Sequence, residues 1–232
     1  MGTLIQPGGS GVLLLDPGEG SPNRVENVPV GQSSPAWSAS TDANSVKMSP
    51  DGRFIVGDRD ITGDDVVVLD GTNGAMVATV PTPAGATLCR SANWWSDDEL
   101  VVDCQVGASV DVWRYSLSTR TMTRVSRASA DYTGAYPSSV GVVVQHSSGC
   151  DSVPLGILSR DGTKDTPVAA PSGLKGAGVL VAVVGTTAYL LYITCNVSNG
   201  PSAYVAYDLV THGAVTLVDA SNQAFQGWIT LR

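Results

Sequence analysis

The sequence predicts an all-β chain assembled from one repeated hairpin unit, and three observations carry that prediction. Breakers are dense, with 26 Gly and 13 Pro spread over 232 residues, which leaves no stretch long enough for an ordinary helix. Val, Thr, Tyr and Ile fill the gaps between them, the residue types that suit a pleated strand. A strand–turn–strand pattern, clearest in "VVVLDGTNGAMVATV" (66–80), also returns along the chain.

Taken in order, residues 11–30 ("GVLLLDPGEGSPNRVENVPV") give a loose first copy whose turn opens at Asp16. Residues 49–80 give the most regular one. Its Ser49-Pro50-Asp51-Gly52 predicts a type I turn, because Pro presets φ at the second position and Gly closes it; a second turn opens at Asp70. "WWSDDELVVDC" (94–104) repeats the first hairpin through Ser96-Asp97-Asp98, and residues 110–126 repeat the second, opening at Ser116. "AYPSSVGVVVQHS" (135–147) and "VPLGILSRDGTKDTPVAA" (153–170) make the fourth copy, opening at Ser159. "LVAVVGTTAYLLYITC" (180–195) and "AYVAYDLVTHGAVTLVDA" (203–220) make the fifth, opening at Asp208. The openings lie 54, 46, 43 and 49 residues apart, the length of a four-stranded β-propeller blade.

Five copies predict five blades in a single domain spanning 1–232. The ends suggest closure by a shared blade: "QGWITLR" (226–232) supplies an innermost strand, and "TLIQP", "GVLLLD" and "VENVPV" supply its other three. On this reading Trp37 lies in the connection to the second blade. The alternative is a fragment of a six- or seven-bladed ring.

"SPDGRFIV…DDVVVLDGTNGAMVATV" and "WWSDDELVV…VDVWRYSLSTRTMTRVS" resemble the blades of TolB-like, WD-repeat-related bacterial propellers. Blades of that family follow W-S-P-D-G, a strand, a polar loop, then D-I-W/Y-x-x-D-x-x-T-G-x. The resemblance covers the second and third copies well, the fifth partly, and the first and fourth in outline. It implies the fold and leaves activity open, because this fold hosts binding modules, sensors and enzymes alike.

Several classes are disfavoured. A net charge of −8 provides no basic patch for nucleic acid or for an anionic membrane surface. No run approaches the roughly 20 apolar residues of a membrane span, and the longest candidate, residues 178–195, is broken by Gly185-Thr186-Thr187. Direct membrane insertion by this segment is therefore not expected. No signal peptide stands at Met1, and Met1-Gly2-Thr3 reads as an added start, so the natural chain is expected to begin earlier.

Four cysteines predict two disulfides, Cys89–Cys104 across one hairpin and Cys150–Cys195 between neighbouring loops, all on one rim. The even count and the lack of a C-x-x-C pair predict an oxidising, extracytoplasmic compartment. Zinc is disfavoured by spacings of 15, 46 and 45 and by only two histidines, and no cofactor is expected.

Signals for chemistry are sparse. His146 stands near Asp151 and several serines, but no G-x-S-x-G elbow accompanies it, so a polar rim role is expected. The expected innermost strands, "SVKMS", "NWWS", "AYPSS", "LVAVV" and "GWITL", carry no Asp or Glu, against a glycosidase site. "GDRDITGDDV" (57–66) gathers Asp58, Asp60, Asp64 and Asp65 without the D-x-D-x-D-G order of a calcium loop, and reads as a solvated loop.

Aromatic residues are the better candidates. Trp37, Trp94, Trp95, Tyr136 and Trp228 fall in or near innermost strands, where they can stack on a ligand at the channel mouth, with Arg90 and His146 adding polar contacts. Trp94 and Trp95 are adjacent, so they point to opposite faces. The expected function is a non-catalytic extracytoplasmic propeller that binds a protein or small-molecule ligand at its rim. Arg over Lys, with much Gly, Ala and Val, suits an actinobacterial source and, by family analogy, the sensor domain of a receptor-type Ser/Thr kinase. The alternatives are a secreted lyase, lactonase or glycosidase acting in the axial channel, and a structural protein–protein scaffold. Oligomeric state is not readable.

Overall fold

Strands form where Val-, Tyr- and Thr-rich runs are bounded by Gly, Pro or Asp turns, and the described residues contain no helix. The computed structural model describes residues 3–5, 10–15, 23–29, 33–41, 43, 45–58, 66–126, 132–146, 155–169, 171, 177–193 and 202–219. Twenty strands lie among them. The first sheet holds β1 (Thr3–Ile5), β2 (Ser10–Leu15), β3 (Asn23–Pro29) and β4 (Trp37–Thr41). The second holds β5 (Ser45–Met48), β6 (Phe54–Asp58), β7 (Val66–Asp70) and β8 (Met76–Val80). The third holds β9 (Leu88–Trp94), β10 (Glu99–Val106), β11 (Ser109–Ser116) and β12 (Thr121–Arg124). The fourth holds β13 (Tyr132–Ser138), β14 (Gly141–His146), β15 (Leu155–Leu158) and β16 (Asp165–Val168). The fifth holds β17 (Ala177–Val184), β18 (Thr187–Ile193), β19 (Ser202–Asp208) and β20 (Ala214–Asp219). Every sheet is a meander with its strands in chain order.

One expectation needs correction. The first sheet takes all four strands from the N-terminal segment, and its fourth is Trp37–Thr41, where the sequence suggests only a connection. "WSAST" has no Val or Ile to announce a strand, yet it pairs with β3 from Asn27↔Trp37 to Asn23↔Thr41. Residues 226–232, expected to complete this sheet, lie outside the described residues.

The turns follow local chemistry. At 49–54 the Ser49 Oγ donates to Asp51 Oδ1 (2.7 Å) and accepts from the Phe54 N–H (3.0 Å), while the Gly52 N–H reaches the Ser49 carbonyl (2.9 Å). Gly52 takes φ +75°, a region that disfavours side chains. Ser159–Lys164 repeats the pattern: Ser159 Oγ donates to Asp161 Oδ1 (2.6 Å) and accepts from the Lys164 N–H (3.0 Å). The first turn joins the first two strands of its sheet and the second joins the last two, so the six-residue sequence, rather than its place in the sheet, sets the conformation.

The chain divides into two compact units. The first contains Met1–Gly107 and Trp113–Thr123; the second contains Ala108–Val112 and Arg124–Gly227. In the first, Val56, Val66, Val68 and Val80 of the second sheet pack on Trp94, Leu100, Val102, Cys104 and Tyr115 of the third. The opposite face of the second sheet, with Met48, Ile55, Val67 and Leu69, packs on Val25 of the first. In the second unit, Val143, Leu155 and Val168 meet Leu180, Leu190, Tyr192 and Tyr207. The Gln145 amide also bridges two sheets there, donating to the Gly178 carbonyl (2.9 Å) and accepting from the Leu180 N–H (2.8 Å). No helix among the described residues is long and apolar enough to cross a membrane.

Candidate functional site

The aromatic positions separate into packing residues and exposed ones. Trp94, at the end of β9, is buried; its indole N–H donates to the Lys47 carbonyl on β5 (2.8 Å) and its ring stacks on Phe54 at 6.3 Å. It is a pillar between the second and third sheets. Trp37 is the corresponding pillar between the first and second sheets: its indole N–H donates to the Gly71 carbonyl (2.8 Å), and the Asn27 amide meets the same oxygen (3.1 Å). A Cβ on Gly74 would stand 2.8 Å from the Trp37 ring, so that turn glycine makes room for the indole. Trp95 and Tyr136 remain half-buried, the latter packed against the core of the second unit. Trp228 lies outside the described residues.

The Cys89–Cys104 disulfide is present, with both residues buried. They stand directly opposite one another inside β9 and β10 and belong to the apolar core, instead of sitting in rim loops as the sequence suggested. Cross-strand register, which places paired Cβ atoms about 4.5–5.5 Å apart, is what brings the sulfurs together. Cys150 and Cys195 lie outside the described residues.

The next rung of the same ladder carries charge. Arg90 stands opposite Asp103, and alternation along the strands turns this pair to the face away from the disulfide. On the second sheet, Lys47 of β5 and Asp58 at the end of β6 share a face, because Asp58 pairs with Ser45, two residues before Lys47. The four groups act on one another. Burial pushes the Asp103 carboxyl up to about 6, against the pull of Lys47 and Arg90. Burial likewise draws the Lys47 ammonium down to about 8, against Asp103 and Asp58. Lys47 and Asp103 both keep part of their surface accessible although desolvation is the main influence on each. Sequence reasoning misses the cluster because it looks for carboxylates on first strands, whereas Asp103 and Asp58 stand on second strands.

A second cluster spans the fourth sheet. Asp165 Oδ2 accepts from the Tyr132 hydroxyl (3.2 Å) and faces His146 Nε2 at 3.3 Å, while the Tyr132 and His146 rings meet edge-on at 5.0 Å. The carboxylate beside His146 is thus Asp165; Asp151, the neighbour expected from sequence, lies outside the described residues, as do Asp60, Asp64 and Asp65. Burial, with Asp165 and Asp111 nearby, pushes the Tyr132 phenol well above its ordinary range, so it stays a donor. Among the described residues, no group of three or more His, Cys, Asp or Glu side chains could hold a metal ion.

No protein-family model and no curated protein matches the sequence. Solved structures do. TolB from Acinetobacter baumannii superposes with a TM-score of 0.66 at 12% identity, over 96% of this chain and 54% of that one, so the chain spans about half its length. A putative TolB from Agrobacterium tumefaciens gives 0.69 at 14% identity, over 96% and 83%. An oligogalacturonate lyase in complex with manganese gives 0.59 at 15%, over 90% and 61%. At these identities the likeness is one of fold, and in fold the chain is a TolB-like β-propeller.

Proposed function

We propose that this chain is a non-catalytic binding propeller of an extracytoplasmic compartment, with its sheets closed as five blades. Its ligand is a small molecule or a segment of a partner protein, received where Lys47, Asp58, Arg90 and Asp103 cluster. The observation carrying the reading is that Lys47 and Asp103, half-buried on adjacent sheets and coupled to Asp58 and Arg90, are held by burial away from their ordinary ionisation, a pattern found at functional sites. Cations and carboxylates side by side suit a ligand bearing both signs of charge, such as an amino acid or a peptide. The buried Cys89–Cys104 bond supports the compartment.

Thermal-shift titration with charged amino acids and short peptides tests this reading on the native protein and on a Lys47→Met/Asp103→Asn double variant. Ligands that raise the native Tm and leave the double variant unmoved are expected; equal shifts in both would remove the cluster from the reading. A second reading, lyase or hydrolase chemistry at the same place, draws on the Asp103 and Lys47 ionisations, which straddle neutrality as an acid–base pair requires. Turnover of oligogalacturonate or of peptide esters, lost in the double variant, would favour it over binding alone. Placement as the sensor of an actinobacterial receptor-type Ser/Thr kinase refines the first reading, and a kinase domain and membrane span encoded in the same gene are what it requires.

A further inference from the structure

The outermost strand of the fourth sheet is weakly held by its backbone. β16 has four residues, three of them exposed, and pairs with β15 only from Leu155↔Val168 to Leu158↔Asp165. Pro167 stands within it and has no N–H to give the ladder. Side chains do more. Asp165 reaches from β16 past β15 to His146 of β14 and Tyr132 of β13, so one carboxylate joins three strands of the sheet. This reach exists because β15 carries Gly156 beneath it. A Cβ there would stand 2.9 Å from His146 Nε2 and nearer still to Asp165 Oδ1.

We propose that Tyr132, His146 and Asp165 form a pH-gated strap that fastens β16 to the inner strands of its sheet through the gap left by Gly156. Histidine is the side chain whose charge ordinarily changes between pH 5 and 8. When His146 is protonated, it and Asp165 are an ion pair reinforced by the Tyr132 hydroxyl; when it is neutral, only hydrogen bonds remain. The ionisable groups around this pair are few. From β13 comes the Tyr132 phenol, which stays protonated throughout the range; β15 offers only Gly156. From β11 comes the buried Asp111, which acts on Tyr132 and is paired with Arg124 of β12. The strap is therefore tighter with His146 charged than with His146 neutral. Loosening β16 uncovers the edge of β15, a row of backbone groups open to another strand.

Amide hydrogen exchange on the full chain at pH 5.5 and 8, corrected for intrinsic rates, tests the strap. Protection at Thr166 and Val168, whose N–H groups face β15, is expected to be about two- to fivefold higher at the lower pH, the size of a half-exposed ion pair. His146→Gln and Asp165→Asn should abolish this difference, and His212→Gln, at the chain's other histidine, should keep it. Gly156→Ala should lower protection of β16 at both pH values without removing a charge. Should Gly156→Ala fail to fold, His146→Gln still decides. No pH dependence in the native protein, or an unchanged one in His146→Gln, overturns the proposal.

Discussion

The seam between the second and third sheets and the surface of the fourth sheet handle charge in opposite ways. At the seam, an indole–carbonyl hydrogen bond, a buried disulfide and a valine-rich core bind two sheets together, while Lys47 and Asp103 are placed where burial works against ionisation. On the fourth sheet, one carboxylate satisfies a phenol and an imidazole within a single sheet because Gly156 clears the way. Charge held where burial opposes ionisation is costly to keep, whereas charge met by hydrogen bonds on a half-exposed sheet face fastens strands at little cost. The largest effect that can break the contrast is Trp94→Ala. Removing the pillar leaves a cavity beside Phe54 and an unmet Lys47 carbonyl, and should cost about 3–5 kcal/mol in urea unfolding. The exchange protection of β16 should be unchanged in the same variant. A loss under about 1 kcal/mol would return Trp94 to the ligand-binding role its sequence position suggested.

A smaller effect sharpens the contrast through pH. Between 3.8 and about 6 the unfolded chain has released the Asp103 proton that the folded chain still holds, so this group's contribution to stability falls as pH rises. Between about 8 and 10.5 the folded chain has released the Lys47 proton that the unfolded chain still holds, so stability climbs again. Together they produce a trough between about pH 6 and 8. Lys47→Met/Asp103→Asn should remove the trough and stabilise the protein by about 1–2 kcal/mol at pH 7. A double variant less stable than the native chain at pH 7 would mean that the mutual attraction of the four charges outweighs the cost of burying Lys47 and Asp103.

What could be read from the sequence tracks how local each feature is. Turns at Ser49, Asp70, Ser159 and Asp208 were legible because their side chains bond within a few residues. Cys89–Cys104 was legible because a hairpin joins them, although the exact rung was not. Strand β4 was hidden, since its partner β3 and the Gly71 carbonyl that fixes Trp37 decide it, and between Trp37 and Thr41 "WSAST" holds only Ser and Ala. Alternation required Trp94 and Trp95 to face apart but could not say which faced inward; the Lys47 carbonyl and Phe54 settle that. The two clusters were the least legible. Lys47 meets Asp103 only when separate sheets pack, and His146 meets Asp165 across an intervening strand, a contact that adjacent-strand pairing does not anticipate.

The smallest expected effect compares the same two regions through a turn they share. Ser49 and Ser159 make matching hydrogen bonds to an Asp two residues on and to an N–H five residues on. Their surroundings differ: Ser49 is 1% exposed, whereas Ser159 is half-exposed. Ser49→Ala strands the Phe54 N–H where water reaches it poorly, and should cost about 1–2 kcal/mol. Ser159→Ala lets water replace the hydroxyl on the Lys164 N–H, and should cost about 0.5 kcal/mol or less. Urea unfolding of the two variants measures both. Equal costs would show that turn geometry alone sets the energy, and the distinction between a desolvated seam and a solvated fourth sheet would then lose its physical basis.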